Sequence, residues 1–395
     1  MKSLLEQFRT SEQRDFFSTY KRLPVLIERG EGCYLYTESG NKILDMFAGL
    51  AVNVLGYNHP GINKAIEEQI KKYIHISNFF LQDSQIKLAE KILEMTGFKK
   101  VFFSNSGTEA IEGAIKIVRK FFYGTNKKNL VSFSGSFHGR TMGALSLTAR
   151  KKYRDQFAPL LPNVKQFTFN SIDELNNNVN DGTAAIFIEC IQGEGGINVA
   201  NQEFIDMIND LKQKYGFIVV ADEIQSGVGR TGKLHSFEHF GLEADIIIIA
   251  KGIGGGLPLG AIVGNEKVAG VFAYGDHGST FGGNPVAASC GIVIFNELEK
   301  ELMNRVNEIS RNLFDKLNQL QQKYRSKIKE IRGRGLMIGI EFNSGCEQTV
   351  QELISEGVLV NCTGGNVIRL LPPYIITKNE ISYFAEKLDK VLMKL

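Results

Sequence analysis

Short runs of consecutive apolar residues alternate with longer amphipathic stretches between about residues 98 and 265. The runs are apolar at successive positions rather than at every second position, which is typical of strands covered on both faces by helices. Such strands, separated by amphipathic helices, predict an α/β fold built on a mostly parallel sheet. The expected strands are residues 100–103, 130–133, 184–188, 217–221, 246–249 and 261–263.

The first amphipathic stretch has a defined beginning. Residues 107–122 carry apolar side chains at the spacing of one helix face. Ser106 and Glu109 form an S-x-x-E capping box, in which each residue bonds to the backbone of the other. The sequence therefore predicts that a helix starts directly after Ser106.

The later part of the chain has a different order of elements. After the glycine-rich break at residues 282–285, a long helical stretch runs to about Lys323, and strands are expected at residues 335–342 and 367–371. A closing helix is expected near Thr377, where Glu380 completes another capping box.

We expect three parts along the chain. Residues 34–36 and 42–44 predict a hairpin around a Glu-Ser-Gly-Asn turn. This hairpin belongs to an N-terminal segment, residues 1–45, that packs with the last part of the chain. A large domain at residues 46–290 and a small C-terminal domain at residues 291–395 complete the division.

Composition limits the classes of function. The 395 residues are 43% apolar and 23% charged, which is typical of a soluble globular protein. The net charge of +3 is small and both signs are interspersed, so we expect no nucleic-acid and no membrane partner. No apolar run approaches the roughly 20 residues of a membrane span, and the charged N-terminus is unlike a signal peptide. A cytoplasmic protein is the resulting expectation.

The cysteines support the same compartment. They are odd in number and scattered, without C-x-x-C pairing, which predicts reduced thiols. The five positions are Cys33, Cys190, Cys290, Cys346 and Cys362.

Two strand ends carry residues that suit one cofactor. Lys251 follows the most apolar expected strand, where loss of water favours the neutral, nucleophilic form of its amine. Asp222 follows another apolar run. An amine that can condense with an aldehyde and a carboxylate that can pair with a pyridine nitrogen together indicate pyridoxal phosphate. Taken singly, they would be an ordinary strand-terminal lysine and a helix-capping aspartate.

A phosphate site and a carboxylate site are expected at the same edge of the sheet. Gly107 and Thr108 open a capped helix, whose free N–H groups and partial positive charge suit a phosphate. The sequence contains neither a P-loop nor a dinucleotide-binding motif. Phe137 can lie against a flat ring and Arg140 can hold a carboxylate bidentately. As isolated motifs, these would more often be a capping box, a core aromatic residue and a surface ion pair.

Six motifs in this order resemble those of class III pyridoxal-phosphate-dependent aminotransferases. They are SNSGTEA at 104–110, SFHGRT at 136–141, QGEGG at 192–196, ADEIQSGVGRTG at 221–232, AKGIGGGLP at 250–258 and GSTFGGNP at 278–285. The similarity runs from about Tyr20 to Pro373. It implies a type I pyridoxal-phosphate-dependent transferase fold, with a seven-stranded, mostly parallel sheet in a large domain and a smaller α+β domain. It also implies a homodimer with active sites at the subunit interface, acting on small amino acids and 2-oxo acids.

The resemblance further implies roles for single residues. Lys251 would hold the cofactor and move a proton on the substrate, and Asp222 would keep the pyridine nitrogen protonated. The other expected cofactor contacts are Ser106, Gly107 and Thr108 at the phosphate, Phe137 and Ile224 on either side of the ring, Glu223, Gln225 at the ring hydroxyl, and Thr280 from the second subunit. The expected substrate contacts are Tyr20, Arg140, Glu194, Ser279 and Arg369. Arg369 resembles the arginine that binds the glutamate α-carboxylate, and Glu194 the glutamate that shields it when the other substrate is bound.

Within this family, the chain most resembles the enzymes that use N2-acetylornithine and 2-oxoglutarate in arginine biosynthesis. Residues 19–22, 49–53 and 277–280 fit that subgroup. Gly49 stands where ornithine aminotransferases carry a tyrosine, which would leave room for an acylated amine. Cys190 stands where the family usually has proline and could alter the loop that carries Glu194. Acetyl-lysine, succinylornithine, ornithine and γ-aminobutyrate remain alternative amine donors.

Two unrelated functions also remain open on the sequence. Residues 235–239 match the H-x-x-E-H zinc pattern, although flanking glycines leave the segment too short for a strong helix. A third ligand at a suitable spacing is missing from the sequence, so we expect no metal site. The second alternative is a binding protein with this fold and no catalysis, which intact Lys251 and Asp222 argue against.

Overall fold

The computed structural model describes residues 3–394, and a seven-stranded sheet forms its centre. The strands of the chain are, in order, β1 (Ile27–Glu31), β2 (Tyr34–Thr37), β3 (Lys42–Asp45), β4 (Lys100–Ser104), β5 (Asn129–Phe133), β6 (Val164–Phe167), β7 (Thr183–Ile188), β8 (Ile191–Gln192), β9 (Asn198–Val199), β10 (Ile218–Asp222), β11 (Ile246–Ile249), β12 (Gly260–Gly264), β13 (Ile328–Arg334), β14 (Met337–Phe342), β15 (Val358–Leu359), β16 (Asn361–Thr363) and β17 (Val367–Leu370).

Helices cover this sheet and connect its strands. The α-helices are α1 (Leu4–Asp15), α2 (Ala48–Ala51), α3 (Pro60–Ile70), α4 (Asp83–Thr96), α5 (Gly107–Phe121), α6 (Met142–Leu147), α7 (Lys151–Arg154), α8 (Ile172–Asn178), α9 (Gln202–Tyr215), α10 (Pro285–Glu297), α11 (Met303–Lys323), α12 (Glu347–Ser355) and α13 (Lys378–Lys394). Short 3-10 helices span Asp155–Phe157, Ser236–His239 and Lys251–Gly254, and a π-helical turn at Leu298–Leu302 joins α10 to α11.

The central sheet has the strand order β4-β12-β11-β10-β7-β5-β6. Neighbours from β11 to β6 pair in parallel, whereas β12 is antiparallel to both β11 and β4. The prediction of an α/β fold with a mostly parallel seven-stranded sheet is confirmed. All six expected strands are present, and the seventh is the edge strand β6.

Both faces of this sheet are buried, as the consecutive apolar runs predicted. On β11, Ile246 and Ile248 pack in a cluster with apolar residues of α5, and Ile247 and Ile249 pack in the cluster on the opposite face. All four side chains are completely buried. A strand that is apolar at every position is therefore used on both of its faces.

Helix α5 begins where the sequence predicts, with one difference in its cap. The Ser106 hydroxyl accepts a hydrogen bond from the Glu109 N–H at 3.3 Å. The Glu109 carboxylate, however, accepts from the backbone N–H of Asn105 at 2.8 Å rather than from that of Ser106. The cap thus fixes the residues just before the helix as well as its first turn.

The C-terminal part of the chain forms a second sheet. Its antiparallel strands lie in the order β13-β14-β17-β16, and α11 and α13 pack against one another beside it. The long helical stretch expected after residue 285 is α10, the π-helical turn and α11. The Thr377–Glu380 capping box is present, with the Thr377 N–H donating to Glu380 at 2.8 Å. Strand β13 was missed.

The N-terminal hairpin pairs with a strand from the C-terminal part. Strands β2 and β3 are antiparallel, as predicted, and Leu44 of β3 pairs in parallel with Val358 of β15. This pairing supports the division that we propose: an N-terminal segment at residues 1–45, a large domain at residues 46–290 and a small domain at residues 291–395. Residues 1, 2 and 395 lie outside the described residues.

The prediction that all five cysteines are reduced is wrong for two of them. Cys346 and Cys362 form a disulfide, and Cys33, Cys190 and Cys290 are free and buried. The pair was not predictable because Cys346 caps α12 while Cys362 lies on β16, and the fold brings their Cα atoms to 5.9 Å. Burial strongly raises the pKa of the Cys190 thiol, which makes it a packing residue.

Candidate active site

A cavity of about 420 Å³ lies where parallel strands of the central sheet end. Its walls come from residues that follow β4, β5, β7, β10 and β11 and from the segment before β12. Ligands of open α/β sheets bind at this edge, outside the carboxyl ends of the strands. The lining residues are Val52, Asn105, Ser106, Gly107, Thr108, Phe137, His138, Gly139, Arg140, Glu189, Glu194, Asp222, Ile224, Gln225, Ala250, Lys251, Gly256, Leu257, Pro258 and Leu259.

Lys251 is held in this cavity by a constrained backbone. It follows β11 after one intervening residue, Ala250, and has a left-handed φ of 51°, a conformation that a non-glycine residue adopts at an energetic cost. Burial lowers the pKa of its ammonium, and the charge of Glu194 only partly opposes that effect. A depressed pKa makes the neutral amine more accessible, as a nucleophile or a proton carrier requires.

Asp222 stands at the end of β10 with a buried histidine beside it. The Asp222 Oδ2 atom lies 2.7 Å from His138 Nδ1, and its Oδ1 atom accepts the backbone N–H of Ile224 at 3.1 Å. Burial alone would lower the pKa of His138, but its hydrogen bond to Asp222 and the charge of that carboxylate raise it. The carboxylate is thereby fixed in orientation at the cavity wall.

A second buried carboxylate, missed in the sequence, lies behind the same wall. Glu189 follows β7 and accepts the backbone N–H groups of Phe137 at 2.9 Å and of Gly193 at 3.3 Å. Burial raises the pKa of Glu189 to about 7, against the opposing charge of His138. A glutamate directly after a buried strand was the available signal. Its bonds hold the backbone on which Phe137 and Glu194 stand.

The expected phosphate site lies at the start of α5. Gly107 and Thr108 both line the cavity at the helix N-terminus, where backbone N–H groups are not used by the helix. The Thr108 hydroxyl lies 2.9 Å from that of Thr141 and accepts the Arg140 N–H at 3.2 Å. A side chain at Gly139 would overlap Thr108, so this close approach depends on glycine.

Two apolar side chains line the part of the cavity near Asp222. Phe137 comes from the segment after β5 and Ile224 from the segment after β10, and both line the cavity. A Cβ atom at Gly107 would come within 2.5 Å of Ile224, so the glycine also makes room for that side chain. Apolar walls with a carboxylate at one side suit a flat, polar-edged ring.

Arg369 stands behind the cavity and is hydrogen-bonded through Nη1 and Nε. Its guanidinium, on β17, is only 1% exposed. The Nη1 atom donates to Glu194 Oε1 at 2.6 Å, to Gln225 Oε1 at 3.0 Å and to the Gly193 carbonyl at 3.0 Å, and Nε donates to Asn361 Oδ1 at 3.3 Å. Burial by itself would raise the pKa of Glu194, but Arg369 outweighs it and lowers that pKa.

The guanidinium of Arg140, in contrast to that of Arg369, is exposed and stacks on an aromatic ring. Its Cζ atom lies 3.8 Å from the ring centroid of Tyr153 and 5.6 Å from that of Phe137. Tyr153 meets Phe137 edge to face at 6.3 Å. Stacking on a ring holds a guanidinium while leaving its N–H groups free for a carboxylate. Tyr153 had no signal in the sequence, because an isolated tyrosine on a short helix has no motif.

Four of the expected site residues lie elsewhere in this chain. Ser279 and Thr280 line a separate surface cavity with Phe79, although Ser279 Oγ accepts from Asn105 Nδ2 at 3.1 Å. Tyr20 is exposed and contacts Arg22. The carboxylate of Glu223 turns away from the cavity and accepts the Ser236 hydroxyl at 2.6 Å and N–H at 2.8 Å. Glu223 does not line the cavity, and its expected contact with the cofactor stays a prediction.

Residues 49–53, which fit the acetylornithine subgroup, begin in a segment with an unusual backbone conformation. In α2, Ala48–Ala51, every residue has a positive φ, between 49° and 69°. Such left-handed backbone costs roughly 1–2 kcal/mol for each non-glycine residue. Asp45 supports the turn by accepting the Ala48 N–H at 3.0 Å. Val52 lines the cavity, whereas Gly49 is exposed, so its steric role stays a prediction.

The H-x-x-E-H segment forms a local turn. Ser236–His239 is a single 3-10 turn, and His235 with Glu238 forms its capping box. The His239 Nε2 atom lies 3.0 Å from the Thr231 carbonyl. Within residues 3–394, no three His, Cys, Asp or Glu side chains are grouped so that they could hold a metal ion.

The cavity's own atoms fit pyridoxal phosphate. The amine of Lys251 suits the aldehyde, the Asp222 carboxylate suits the pyridine nitrogen, and the start of α5 suits the phosphate. The His138–Asp222 contact carries this test, because it fixes a buried carboxylate at the cavity wall, where it suits the positive charge of a protonated ring nitrogen.

Comparisons with known proteins are consistent with this geometry. The family described as class III aminotransferases matches residues 17–392. The acetylornithine aminotransferase of Aquifex aeolicus is 42% identical over 383 residues, which are 95% of this chain and 99% of that protein. The structure of the ornithine aminotransferase of Toxoplasma gondii has a TM-score of 0.94 at 29% identity, covering 100% of this chain and 96% of that one.

A solved acetylornithine aminotransferase, that of Elizabethkingia anophelis, is also similar. It has a TM-score of 0.89 and 30% identity, and each chain is covered completely. In the part of this chain that the structure describes, none of the helices combines the length and apolar character of a membrane span.

Proposed function

This chain belongs to the class III aminotransferase family, and we propose that it moves the δ-amino group of N2-acetylornithine to 2-oxoglutarate with bound pyridoxal phosphate. The products would be N-acetylglutamate 5-semialdehyde and glutamate, as in arginine biosynthesis. The observation that carries the proposal is the cavity lined by Lys251 and Arg140, with the buried Arg369 behind it. Of the two guanidinium groups, Glu194 pairs only with that of Arg369.

Lys251 supplies the amine and the proton transfer. Bound pyridoxal phosphate provides an electron sink for negative charge on the reacting substrate carbon. The Lys251 amine would hold the cofactor aldehyde and, once released, take a proton from that carbon and deliver it to the C4′ position of the cofactor. Its lowered pKa favours the neutral form that both tasks need.

Asp222 and His138 would keep the pyridine nitrogen protonated. A carboxylate at that nitrogen stabilises the positive charge that makes the ring a strong electron acceptor. The 2.7 Å contact with His138 prevents the Asp222 carboxylate from turning away. Gln225, which we expect at the ring hydroxyl, accepts a hydrogen bond from Arg369 at Oε1 and so would link the cofactor to the carboxylate site.

The two substrates differ in the charge beside the reacting carbon. Glutamate has an α-carboxylate there, whereas acetylornithine reacts at its δ-carbon and has none. An uncovered Arg369 would be a buried cation without a partner, which costs about 3–5 kcal/mol. Glu194 would pair with it during the acetylornithine half-reaction and move aside for the glutamate α-carboxylate. Arg140 would hold the distant carboxylate of either substrate.

We propose a homodimer in which Thr280 reaches the phosphate of the second subunit, while Ser279 and Tyr20 complete the substrate site. Support comes from the surface around the second cavity, where Phe79 is 97% and Leu81 is 90% exposed. Large exposed apolar side chains on one surface are typical of an interface. Sedimentation with activity measured on dilution tests this, and a fully active monomer would contradict it.

Steady-state kinetics with 2-oxoglutarate tests the proposed donor. N2-acetylornithine, ornithine, acetyl-lysine, succinylornithine and γ-aminobutyrate would be compared as amine donors. We expect the highest kcat/KM for N2-acetylornithine. Its far carboxylate can bind Arg140, its reacting end has no carboxylate and so leaves the Glu194–Arg369 pair intact, and Gly49 is expected to leave room for the acylated amine. A higher kcat/KM for any other donor would reject N2-acetylornithine as the principal donor.

A further inference from the structure

The movement of Glu194 requires a place for its carboxylate. When it leaves Arg369 it loses its 2.6 Å ion pair, and only part of its side chain is exposed to water. A partly buried carboxylate without a partner is unfavourable. The question is therefore which group near Glu194 can receive it.

Arg150 is placed to do so. The Thr363 hydroxyl donates to the backbone carbonyl of Glu194 at 2.8 Å. The Nη2 atom of Arg150 lies 3.5 Å from that same hydroxyl. The side chain of Thr363, on β16, thus separates this guanidinium from the backbone of Glu194, which lies in the loop after β8.

The guanidinium of Arg150 has no carboxylate partner among the described residues and can therefore bind one. It is half-buried, and throughout residues 3–394 no acidic side chain forms a salt bridge with it. Its Cζ atom lies 5.8 Å from the Tyr153 ring centroid, so it borders the ring on which Arg140 stacks. Its charge already acts on Glu194, since it is one of the cations that lower the pKa of that carboxyl group.

We propose that Arg150 is a positioning residue that receives the Glu194 carboxylate when a substrate carboxylate displaces it from Arg369. This inference rests on the proposed two-substrate function of the cavity. Arg150 would stabilise the open form of the Arg369 site without touching the substrate. It would therefore strengthen binding of ligands that place a carboxylate on Arg369 and leave other ligands unaffected.

Two unreactive ligands separate these cases on the cofactor-loaded enzyme. Glutarate has a carboxylate for each end of the cavity, whereas N-acetylnorvaline has only the distant one. For Arg150→Gln we expect the Kd of glutarate, measured by calorimetry, to rise about tenfold and that of N-acetylnorvaline to stay unchanged. Steady-state rates should show a higher KM for glutamate with kcat preserved.

Matched variants keep the test specific. Arg150→Lys retains a cation and should recover most of the glutarate affinity. Lys152→Gln removes a neighbouring charge that lies 5.1 Å from the Tyr153 ring and should change neither Kd. A uniform loss of affinity for both ligands in Arg150→Gln would overturn the proposal and make Arg150 a direct carboxylate ligand.

Unchanged affinity of Arg150→Gln for both ligands would overturn the proposal as well.

Failure of the proposed function would give a different combination of results. If N2-acetylornithine is not a donor but glutarate binding still depends on Arg150, the donor assignment fails and the role of Arg150 stands. If N2-acetylornithine is a donor and glutarate binding is independent of Arg150, the reverse holds.

Discussion

The two ends of the substrate cavity hold their guanidinium groups in opposite ways. Arg369 lies on a strand, is 1% exposed and donates to four different residues. Arg140 is an exposed residue on the segment after β5, and its guanidinium stacks on Tyr153 at 3.8 Å. A buried cation is costly without a partner, so the first end must distinguish substrates that bring a carboxylate from those that do not. The exposed end can accept a carboxylate from either.

The two ends also differ in whether a protein side chain has to be displaced before a substrate carboxylate binds. In the function that we propose, Glu194 leaves the buried end before a substrate carboxylate binds Arg369. At the exposed end, water covers Arg140 between substrates and no protein group has to be displaced. One cavity can thereby serve two amine donors of different charge.

The largest expected effect comes from the residue that serves both ends. Lys251→Ala should lower the rate of both half-reactions by at least about 10³-fold, because the amine and the proton transfer are lost together. The cofactor should still bind through Asp222 and α5, as its absorbance would show. Borohydride reduction followed by peptide mapping should label Lys251 in the unmodified protein.

A lysine outside the cavity, also with a lowered pKa, is the control for this experiment. Lys267 also has a pKa lowered by burial, but it donates to the Phe217 carbonyl at 3.2 Å and does not line the cavity. Lys267→Ala should keep both rates. Labelling of any lysine other than Lys251 would contradict the assignment.

Removing the buried guanidinium should affect the two half-reactions unequally. Arg369→Ala should slow the glutamate half-reaction by about 10²-fold, because the α-carboxylate loses a charge-assisted bond in a buried site. The acetylornithine half-reaction should change much less. Stopped-flow absorbance of the bound cofactor measures each half separately, and an equal loss in both would remove the distinction between the ends.

Removing the exposed guanidinium should have a smaller and symmetrical effect. Arg140→Ala should raise the KM of both amino-acid substrates by about tenfold, since a carboxylate bond in a partly wet site is weaker. Tyr153→Phe keeps the ring under Arg140 and should leave KM nearly unchanged, whereas Tyr153→Ala should reproduce part of the loss. An effect confined to one substrate would show that the two ends are not built as described.

An ion cluster outside the cavity gives the smallest expected effect. Lys390, Lys387 and Lys394 hold the pKa of Glu356 at about 2. The pKa of a glutamate in the unfolded chain is about 4.3. The ionised Glu356 therefore stabilises the folded chain above about pH 4.3, and this contribution is lost as the pH falls toward 2. Glu356→Gln should therefore slightly lower the free energy of unfolding at pH 7 and less at pH 3, with no change in kcat. Urea unfolding at both pH values measures this.

Local patterns predicted the strands but not all of their relations. The four isoleucines of β11 predicted a buried strand, and its bounds are as expected. Strand β6 was missed because its central residues, Lys165 and Gln166, are not buried at the sheet edge. The antiparallel direction of β12 was not predictable either, since a buried run has the same pattern in both directions.

The site likewise contains residues that local patterns predicted and contacts that they could not predict. Asp222 ends β10, Lys251 lies two residues after β11 and Phe137 lies on the segment after β5. The sequence could therefore place all three at one sheet edge, and the structure brings them into one cavity. The Arg140–Tyr153 stacking and the Cys346–Cys362 bond depend on how separate segments pack, which no local pattern records. The roles of Ser279, Thr280 and Tyr20 stay predictions because they depend on a second subunit.

The central claim is that Glu194 lets one cavity serve two substrates, and single-turnover kinetics of Glu194→Gln tests it most directly. This variant keeps the size of the side chain but cannot neutralise Arg369. We expect the acetylornithine half-reaction to slow by at least about tenfold, while the glutamate half-reaction keeps its rate or gains. Equal slowing of both half-reactions, or loss of the glutamate half-reaction alone, would contradict the account.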